Sequence, residues 1–593
     1  MCVGRALQVA VIYQMKLIEA LETAKRPVAD AAPRMSVFLA CGFTPLHLQT
    51  FMAAHLRLLF AEVRLVVKTG LFGDLVGSIE RLDPSGIDSL AVVIEWADVD
   101  PRLGLRTLGG WLATDLAGIV KSAEETAARI LRALTEISSR VPTVVCMPTL
   151  PLPPLFATRP IHAGSLETRL HYIVASLAES LSQQPGLRVA SSQQLGETSP
   201  LTDRHDVKSD LVTGFPYSLH HASALGELLA RLIHNRPPLK GLITDLDDTL
   251  WAGILGEDGV DGISWHLDRH TQMHGLYQQF VASLAGTGVL VGVASKNDAA
   301  VVARAFERDD LLLSKEDIFP FETHWFRKSE SVRRILTAWN VGADSVVFID
   351  DSPMEIAEVQ AAFPQMECQL FPKNDYQGIL GLLKHLRDLF GRSIVTEEDS
   401  LRLRSIREAG IWRDAGRSTE ISSDTFLKSA EACIVFDVGH SSGDPRAFEL
   451  VNKTNQFNLN GKRFSESEWR HFFADPAAFM ITASYKDKYG PLGKIAVVVG
   501  KMRGKNAYLD SWVLSCRAFS RRIEHQCLRY LFDTMGADEI TFDYQATPRN
   551  SPIQEFLTGL LAGPPSPEAS LTREQFVARV PALFHRVEGT VHV

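Results

Sequence analysis

Short apolar runs alternate with amphipathic segments along the first 235 residues. Four of these runs predict buried strands: SVFLAC, VRLVV, LAVVIEWA and TVVCMP. Between the last two, SAEETAARILRALTEISSR spaces its apolar positions as one face of a helix does. Strands that alternate with helices predict a parallel sheet. The prolines of Asn235-Arg-Pro-Pro-Leu239 predict the end of this domain.

Residues 240–390 show the same alternation more sharply. Three runs predict strands that each end in polar or acidic residues: GLITDLD, VLVGVAS and SVVFIDD. Helical segments lie between them, among them HGLYQQFVASLAG and SESVRRILTAWN. This pattern predicts a second parallel sheet, of the Rossmann-like type. In such sheets ligands bind at the carboxyl ends of the strands, which is where the acidic residues fall.

The rest of the chain has a different pattern. Residues 391–425 are strongly charged and predict a helical linker. Residues 426–593 predict an α+β domain with a helix from about Ser520 to Met535 and four strands: ACIVFDVG, AAFMITASY, GKIAVVVGK and NAYLDSWVLSC. The whole chain is therefore predicted to be a multidomain α/β protein, with domains over residues 1–235, 240–390 and 426–593.

Composition and charge narrow the class of protein. The chain has 593 residues, 46% hydrophobic and 22% charged, with a net charge of −9. An acidic chain is unsuited to non-specific nucleic-acid binding, which needs a basic surface. The sequence shows no run of about 20 apolar residues and no export signal, so we expect neither a membrane span nor secretion, but a cytoplasmic protein. The seven scattered cysteines indicate thiols rather than disulfides.

Polar side chains at strand ends and helix starts form the clearest chemical pattern. In chain order they are Asp245, Asp247, Thr249, Ser295, Lys328, Asp350 and Asp351. Phosphoryl transfer requires these types of group: a nucleophilic carboxylate, carboxylates for Mg²⁺, and a hydroxyl and an ammonium to neutralise the transferring group. The alternative is a set of acidic loops that only cap strands.

The order of these residues resembles the four motifs of the haloacid dehalogenase (HAD) superfamily. The resemblance implies that Asp245 attacks phosphorus and binds Mg²⁺. It implies that Asp247 is the general acid and base, with its backbone carbonyl on the metal, and that Thr249 supports the loop. The other residues follow in the same way: Ser295 and Lys328 would hold phosphoryl oxygens, and Asp350 with Asp351 would complete the Mg²⁺ site.

Longer sequence blocks resemble one branch of that superfamily, the FkbH-like proteins of polyketide biosynthesis. In the central domain these blocks are DLDDTLWAGILGEDG, ASKND, HWFRKSES and VFIDDSP; in the C-terminal domain they are TNQFN (454–458), DKYG (487–490), SCR (515–517) and TPRN (547–550). The resemblance implies a glyceryltransferase and phosphatase. Such an enzyme takes a three-carbon glyceryl unit from 1,3-bisphosphoglycerate and loads it onto an acyl carrier protein as a thioester.

A thioester relay needs a cysteine, and Cys516 is the strongest candidate. It ends a predicted strand, Arg517 follows it, and a helix begins soon after; both neighbours lower a thiol pKa. The alternative is a small buried side chain at a strand end. Five other cysteines are predicted mainly to pack in apolar surroundings: Cys41, Cys146, Cys368, Cys433 and Cys527.

Three amide side chains, Asn455, Gln456 and Asn458, cluster in the TNQFN block. They would suit the hydroxyl groups of a glyceryl unit, although an asparagine-rich turn explains them equally well. His525, on the helix after Cys516, is either a base or a solvated surface histidine.

Both outer domains resemble known families imperfectly. The C-terminal domain resembles GNAT acyltransferases, but Ser520 and Arg522 replace the glycines of the R-x-x-G-x-G/A loop, so binding of acetyl-CoA is not expected. In the N-terminal domain, Gly42-Phe43-Thr44 stands where SGNH hydrolases carry Gly-Asp-Ser. We therefore expect this domain to be a scaffold or a carrier-docking domain.

Three functions remain open from the sequence. The first is Mg²⁺-dependent glyceryl transfer with dephosphorylation, from a phosphorylated three-carbon donor to an acyl carrier protein. The second is a plain HAD phosphatase acting on a small metabolite, with the C-terminal domain as a specificity cap. The third is a carrier-binding scaffold without catalysis.

Overall fold

The computed structural model divides the chain into two compact units, one formed by Ala10–Arg236 and the other mainly by Pro237–Val593. The structure describes residues 15–29, 32–154, 158–159, 161–392, 424, 427–428, 430–488, 490–515, 518, 521–547 and 549–591. The linker predicted over residues 391–425 falls almost entirely outside this part of the chain, as do Cys516, Arg517 and Ser520.

The first unit is built on a five-stranded parallel sheet. Its strands are β1 (Arg34–Cys41), β2 (Arg64–Thr69), β3 (Ser89–Val93), β4 (Thr143–Cys146) and β5 (Leu187–Val189), in the order β2-β1-β3-β4-β5. Its helices are Leu17–Ala24, Leu46–Leu59, Leu75–Glu80, Trp96–Val99, Leu116–Ser138, Ser165–Ser182, Ser192–Thr198, Val207–Thr213 and Leu219–His234. The four predicted strands and the long predicted helix are confirmed, except that Trp96 and Ala97, predicted to end the third strand, begin a short helix instead.

The second unit begins with another five-stranded parallel sheet. Its strands are β6 (Gly241–Thr244), β7 (Leu290–Ser295), β8 (Ile318–Thr323), β9 (Val346–Asp350) and β10 (Glu367–Leu370), in the order β10-β9-β6-β7-β8. The helices are Leu255–Gly262, Gln272–Gly286, Ala299–Ala305, Lys328–Trp339, Pro353–Ala362 and Tyr376–Phe390. β6, β7 and β9 are fully buried, because helices cover both faces of the sheet.

The same unit ends with an eight-stranded mixed sheet. Its strands are β11 (Cys433–Gly439), β12 (Phe457–Asn458), β13 (Ala478–Asp487), β14 (Gly490–Arg503), β15 (Asn506–Leu514), β16 (Glu539–Phe542), β17 (Ala569–Thr572) and β18 (Arg586–Val591). Helices Pro445–Lys453, Glu466–Phe472, Ile523–Asp533, Ser551–Leu561 and Arg573–Arg579 accompany it. The four predicted strands and the predicted helix are confirmed, and the chain is a multidomain α/β protein with parallel sheets and a mixed sheet.

The mixed sheet meets the second parallel sheet at the edge where the parallel strands begin. Lys240, just before β6, donates a hydrogen bond from Nζ to the Lys453 carbonyl oxygen at 2.6 Å. Arg549 pairs with Asp344, which precedes β9, at 2.7 Å, and donates to Gln365, which precedes β10, at 2.8 Å. The C-terminal domain therefore contacts the amino ends of these strands.

The helices in the described part of the chain are too short or too polar to cross a membrane.

Candidate functional site

Three carboxylates meet at the carboxyl ends of β6 and β9, which are neighbours in the second parallel sheet. Asp245 follows β6, Asp350 ends β9 and Asp351 comes next; one oxygen of each lies within 4.8 Å of the others. The cluster forms because β6, at the centre of the sheet, is a direct neighbour of β9. A backbone hydrogen bond of 2.9 Å from the Asp245 amide to the Ile349 carbonyl holds the two strand ends side by side. Three carboxylate oxygens at this spacing suit a hard divalent cation such as Mg²⁺.

Lys328 places a buried positive charge against this cluster. Its Nζ lies 2.8 Å from Asp245 Oδ1 and 2.9 Å from Asp350 Oδ2, and donates to the Ala294 carbonyl at 2.8 Å. Burial opposes the charged ammonium, but the two carboxylates outweigh it and raise the Lys328 pKa above its usual value. The ammonium is therefore charged and ready to neutralise a phosphoryl group.

Asp247 lies beside the cluster rather than within it. Its Oδ1 accepts hydrogen bonds from the Trp251 indole at 2.9 Å and the Leu255 amide at 3.1 Å, and its Oδ2 accepts from Asn297 at 2.9 Å. Burial, together with the nearby charge of Asp245, raises the Asp247 pKa. A raised pKa suits a group that must give and take a proton.

Ser295 and Thr249 are both buried at this edge of the sheet. Ser295 is the last residue of β7, which is adjacent to β6. Its hydroxyl accepts a hydrogen bond from Asn297 at 3.1 Å. The carbonyl of Thr249 accepts from His274 at 3.0 Å, while its hydroxyl points into the protein without a hydrogen-bond partner. Ser295 is thus placed beside the acidic cluster, and Thr249 belongs to the loop that follows Asp247 in the chain.

Two residues of the site, Asn297 and Lys373, were not predicted from the sequence. Asn297 joins Ser295 to Asp247, as described above. Lys373, which follows β10, pairs with Asp351 at 2.9 Å and with Asp248 at 2.7 Å. The signal for Lys373 was its place after a strand, but β10 is only four residues long and half polar, and no strand was predicted there.

Four described cysteines are poor nucleophiles. Burial raises the thiol pKa of Cys41 and of Cys368 to about 12. It also raises the thiol pKa of Cys146 and Cys527 far above the ordinary value. A thiol that stays protonated at neutral pH does not attack a carbonyl efficiently.

The TNQFN and TPRN blocks are held together by buried asparagines. Asn550 donates from Nδ2 to the Asn458 and Gln545 carbonyls, both at 2.9 Å, and accepts at Oδ1 from the Thr547 amide and from Gln554. The Asn458 side chain is also buried and closes the turn that follows it, accepting from the Gly461 amide at 2.8 Å. Asn458 thus fixes the turn that follows TNQFN and Asn550 the turn of TPRN, and the two residues join the blocks to each other.

Substituting Asn550 with Ala should destabilise the C-terminal domain by about 3 kcal/mol, because four hydrogen bonds are lost and buried polar groups stay unpaired. Chemical denaturation of the full chain measures this. Asn374→Ala, at an exposed position of the same unit, is the control and should change stability by less than about 0.5 kcal/mol. Equal stability of the two variants would contradict a stabilising role for the Asn550 hydrogen bonds.

The other two amides of TNQFN, Asn455 and Gln456, line an open cavity. Asn455 accepts a hydrogen bond from Arg463. The TNQFN block predicted one site for all three amides, whereas the structure brings only Asn455 and Gln456 to the cavity.

Arg522 adopts a left-handed backbone conformation, with φ +58°, at the start of the helix Ile523–Asp533. This conformation is easiest for glycine, one of the two residues that the GNAT pattern allows at this position. The Arg522 side chain pairs with Asp424 at 2.5 Å, and His525 packs edge-on against Phe556. His525 is therefore a partly buried helix residue.

The first unit does not assemble a hydrolase triad from its predicted residues. The Thr44 hydroxyl donates to the Thr213 carbonyl at 2.9 Å. His221 is fully buried, bonded to Thr149 and Ser199, and burial lowers its pKa to about 3. The hydrogen bonds of His221 thus go to Thr149 and Ser199, and that of the Thr44 hydroxyl goes to a backbone carbonyl.

Comparison with solved structures gives a fold match that covers much of the chain. No family model matches the chain, and no curated protein matches it. The N-terminal part of protein BF1531 from Bacteroides fragilis, described as containing a phosphatase domain complexed with Mg, matches with a TM-score of 0.52 and 20% identity; the match covers 64% of this chain and 100% of that one. At this identity it shows a shared fold.

Phospholipase A1 from Streptomyces albidoflavus NA297 matches with a TM-score of 0.23 and 16% identity, over 35% of this chain and 100% of that one. This score is too low to establish a common fold.

Proposed function

We propose that this protein is a Mg²⁺-dependent HAD-type phosphoryl-transfer enzyme that also transfers a glyceryl unit to an acyl carrier protein. The observation that carries the phosphoryl-transfer half is the meeting of Asp245, Asp350, Asp351 and Lys328 at one strand edge. The fold shared with a phosphatase-containing protein crystallised with Mg supports it.

In the proposed reaction a carboxylate oxygen of Asp245 attacks phosphorus, and the bond from phosphorus to the leaving oxygen breaks. Asp247 gives its proton to that oxygen. Water then attacks the phosphorylated aspartate while Asp247 takes the proton back. Ser295 and Lys328 hold the phosphoryl oxygens throughout. Mg²⁺, held by Asp245, Asp350 and Asp351, would neutralise the charge that develops on phosphorus.

For the acyl half, we propose that Cys516 attacks the carbonyl of an acyl phosphate and releases phosphate. The resulting thioester then passes to the phosphopantetheine thiol of the carrier. Two points support Cys516: four other thiols have raised pKa values, and in the sequence Cys516 comes two residues after the end of β15 and directly before Arg517. We further propose that residues 426–593 form a GNAT-like domain and residues 1–235 an SGNH-like scaffold.

A second candidate function is a plain phosphatase of small metabolites. One form of it, in which the C-terminal domain caps the phosphatase site, does not fit the geometry. The C-terminal domain contacts Lys240, Asp344 and Gln365, which precede the strands, whereas the acidic cluster follows them.

The transfer is tested by incubating the protein with 1,3-bisphosphoglycerate, Mg²⁺ and a phosphopantetheinylated carrier, then weighing the carrier. We expect a glyceryl mass gain on the carrier that disappears in Cys516→Ala. Cys433→Ala is the matched control and should load normally. Phosphate release without any gain on the carrier would leave only the phosphatase, and loading by Cys516→Ala would place the nucleophile elsewhere.

A further inference from the structure

Lys373 joins two loops that carry different parts of the proposed phosphoryl-transfer site. Its Nζ donates a hydrogen bond of 2.9 Å to Asp351 Oδ2 and one of 2.7 Å to Asp248 Oδ2. Asp351 follows β9 and belongs to the carboxylate cluster, whereas Asp248 comes directly after Asp247 in the chain. A single ammonium thus links the loop of the metal-binding carboxylates to the loop of the proposed general acid.

The backbone that carries Lys373 is anchored beside the metal-site strand. β10 is the parallel neighbour of β9, and the Phe371 amide that follows it donates to the Asp350 carbonyl at 2.9 Å. The Phe371 side chain is buried and packs against the rings of His274 and Tyr277. Lys373 therefore extends from a fixed point two residues beyond a buried aromatic side chain.

Asp248 belongs to a tight turn that contacts Lys373 from the other side. Asp248 Oδ1 accepts a hydrogen bond from the Gly253 amide at 2.9 Å, while its Oδ2 accepts from Lys373. The backbone of Asp248 is left-handed, with φ +50°, a conformation that a residue with a side chain keeps only when its surroundings hold it. Lys373 therefore supports the turn that begins at Asp247.

The Lys373 ammonium can affect a metal at this site in two opposite ways. A hydrogen bond to one oxygen of a carboxylate fixes the direction of the other oxygen, which favours metal binding. A positive charge close to the site also repels Mg²⁺. The Lys373 side chain is 40% exposed, against 3% for Lys328, so water and salt screen this repulsion. The effect on the orientation of Asp351 is therefore the larger of the two.

We infer that Lys373 is a positioning residue for the proposed phosphoryl transfer, on which this inference rests. It orients Asp351 for Mg²⁺ and holds the turn that places Asp247. Lys373 acts through these neighbours, and its role needs no contact with the substrate.

Titration calorimetry with Mg²⁺ alone, on the full chain without substrate, tests the effect on Asp351. We expect Lys373→Met to bind Mg²⁺ at least about tenfold more weakly than the wild type, the scale seen when a group that orients a metal ligand is removed. Lys373→Arg keeps a cation with several donors, so it should recover most of the lost affinity. Lys315→Met, exposed in the same domain, is the control and should bind Mg²⁺ as the wild type does.

The outcome for Lys373 is separable from that of the proposed function. A wild type that binds Mg²⁺, together with a Lys373→Met variant that binds it equally well, would reject the role of Lys373 and leave the proposed function standing. Tighter binding by Lys373→Met would also overturn the inference, because the ammonium would then act only as a repelling charge. A wild type that binds no Mg²⁺ would reject both.

Asp248→Asn tests the effect on the turn. Asn keeps an oxygen for the Gly253 amide but removes the charge that Lys373 binds. Phosphate release from 1,3-bisphosphoglycerate is measured in a Cys516→Ala background, with Mg²⁺ saturating for each protein. We expect kcat to fall about tenfold while KM stays within about twofold, because a displaced proton donor is missed in the transition state and not in substrate binding. An unchanged kcat, or a rise in KM alone, would overturn this part of the role.

Discussion

Replacing Asp245 with Asn should lower phosphate release by roughly 10⁴-fold or more, the scale seen when a catalytic nucleophile is removed. An amide oxygen is a far weaker nucleophile than a carboxylate, and it is also a weaker ligand for Mg²⁺. The fold should survive, because Asn has the same size as Asp. Phosphate release from 1,3-bisphosphoglycerate, measured with saturating Mg²⁺ in a Cys516→Ala background so that thiol attack on the acyl phosphate contributes none, gives the turnover rate.

Asp309→Asn is the control for this prediction. Asp309 is exposed in the same domain, away from the carboxylate cluster, and its substitution should leave turnover within about twofold. Turnover by Asp245→Asn that is close to wild type would show that the acidic cluster is not the site of phosphoryl transfer.

Lys328→Met should affect both turnover and stability. Without the ammonium, turnover should fall by roughly 10²- to 10³-fold, as when a preorganised charge is removed from a transition state. In EDTA the free energy of unfolding of the domain should fall by about 3 kcal/mol. The reason is that Asp245 and Asp350 lose the cation that compensates their charges. Added Mg²⁺ should then raise the melting temperature more than it does in the wild type.

Thermal melts with and without Mg²⁺ measure this difference. Lys315→Met, at an exposed position of the same domain, is the control and should melt like the wild type in both buffers. If Mg²⁺ raised the melting temperature of Lys328→Met no more than that of the wild type, the carboxylates would not be the metal site.

The sequence predicted the parallel strands well because fully buried strands are continuous apolar runs. β6, β7 and β9 show this, and the polar residues that follow them mark the edge where Asp245, Ser295 and Asp350 meet. β8 and β10 have mixed burial, so no run indicated them, and Lys373 after β10 was missed.

Contacts between distant segments could not be read from local patterns. Asn458 and Asn550 are 92 residues apart, and only the folded mixed sheet brings them together. The same holds for the cavity, whose lining comes from the starts of parallel strands and from TNQFN. Nothing in either segment shows that the C-terminal domain contacts the edge of the sheet away from the acidic cluster.

The central claim, that Asp245 is the nucleophile of a Mg²⁺-dependent phosphoryl transfer, is tested most directly by trapping the phosphorylated enzyme. The Cys516→Ala protein, which releases no phosphate by thiol attack, is mixed briefly with 1,3-bisphosphoglycerate, quenched in acid, digested and analysed by mass spectrometry. The account predicts a phosphoryl group on the peptide that contains Asp245, present only with Mg²⁺ and absent in Asp245→Asn. Rapid phosphate release with no phosphorylated peptide, or with the phosphoryl group on another residue, would contradict it.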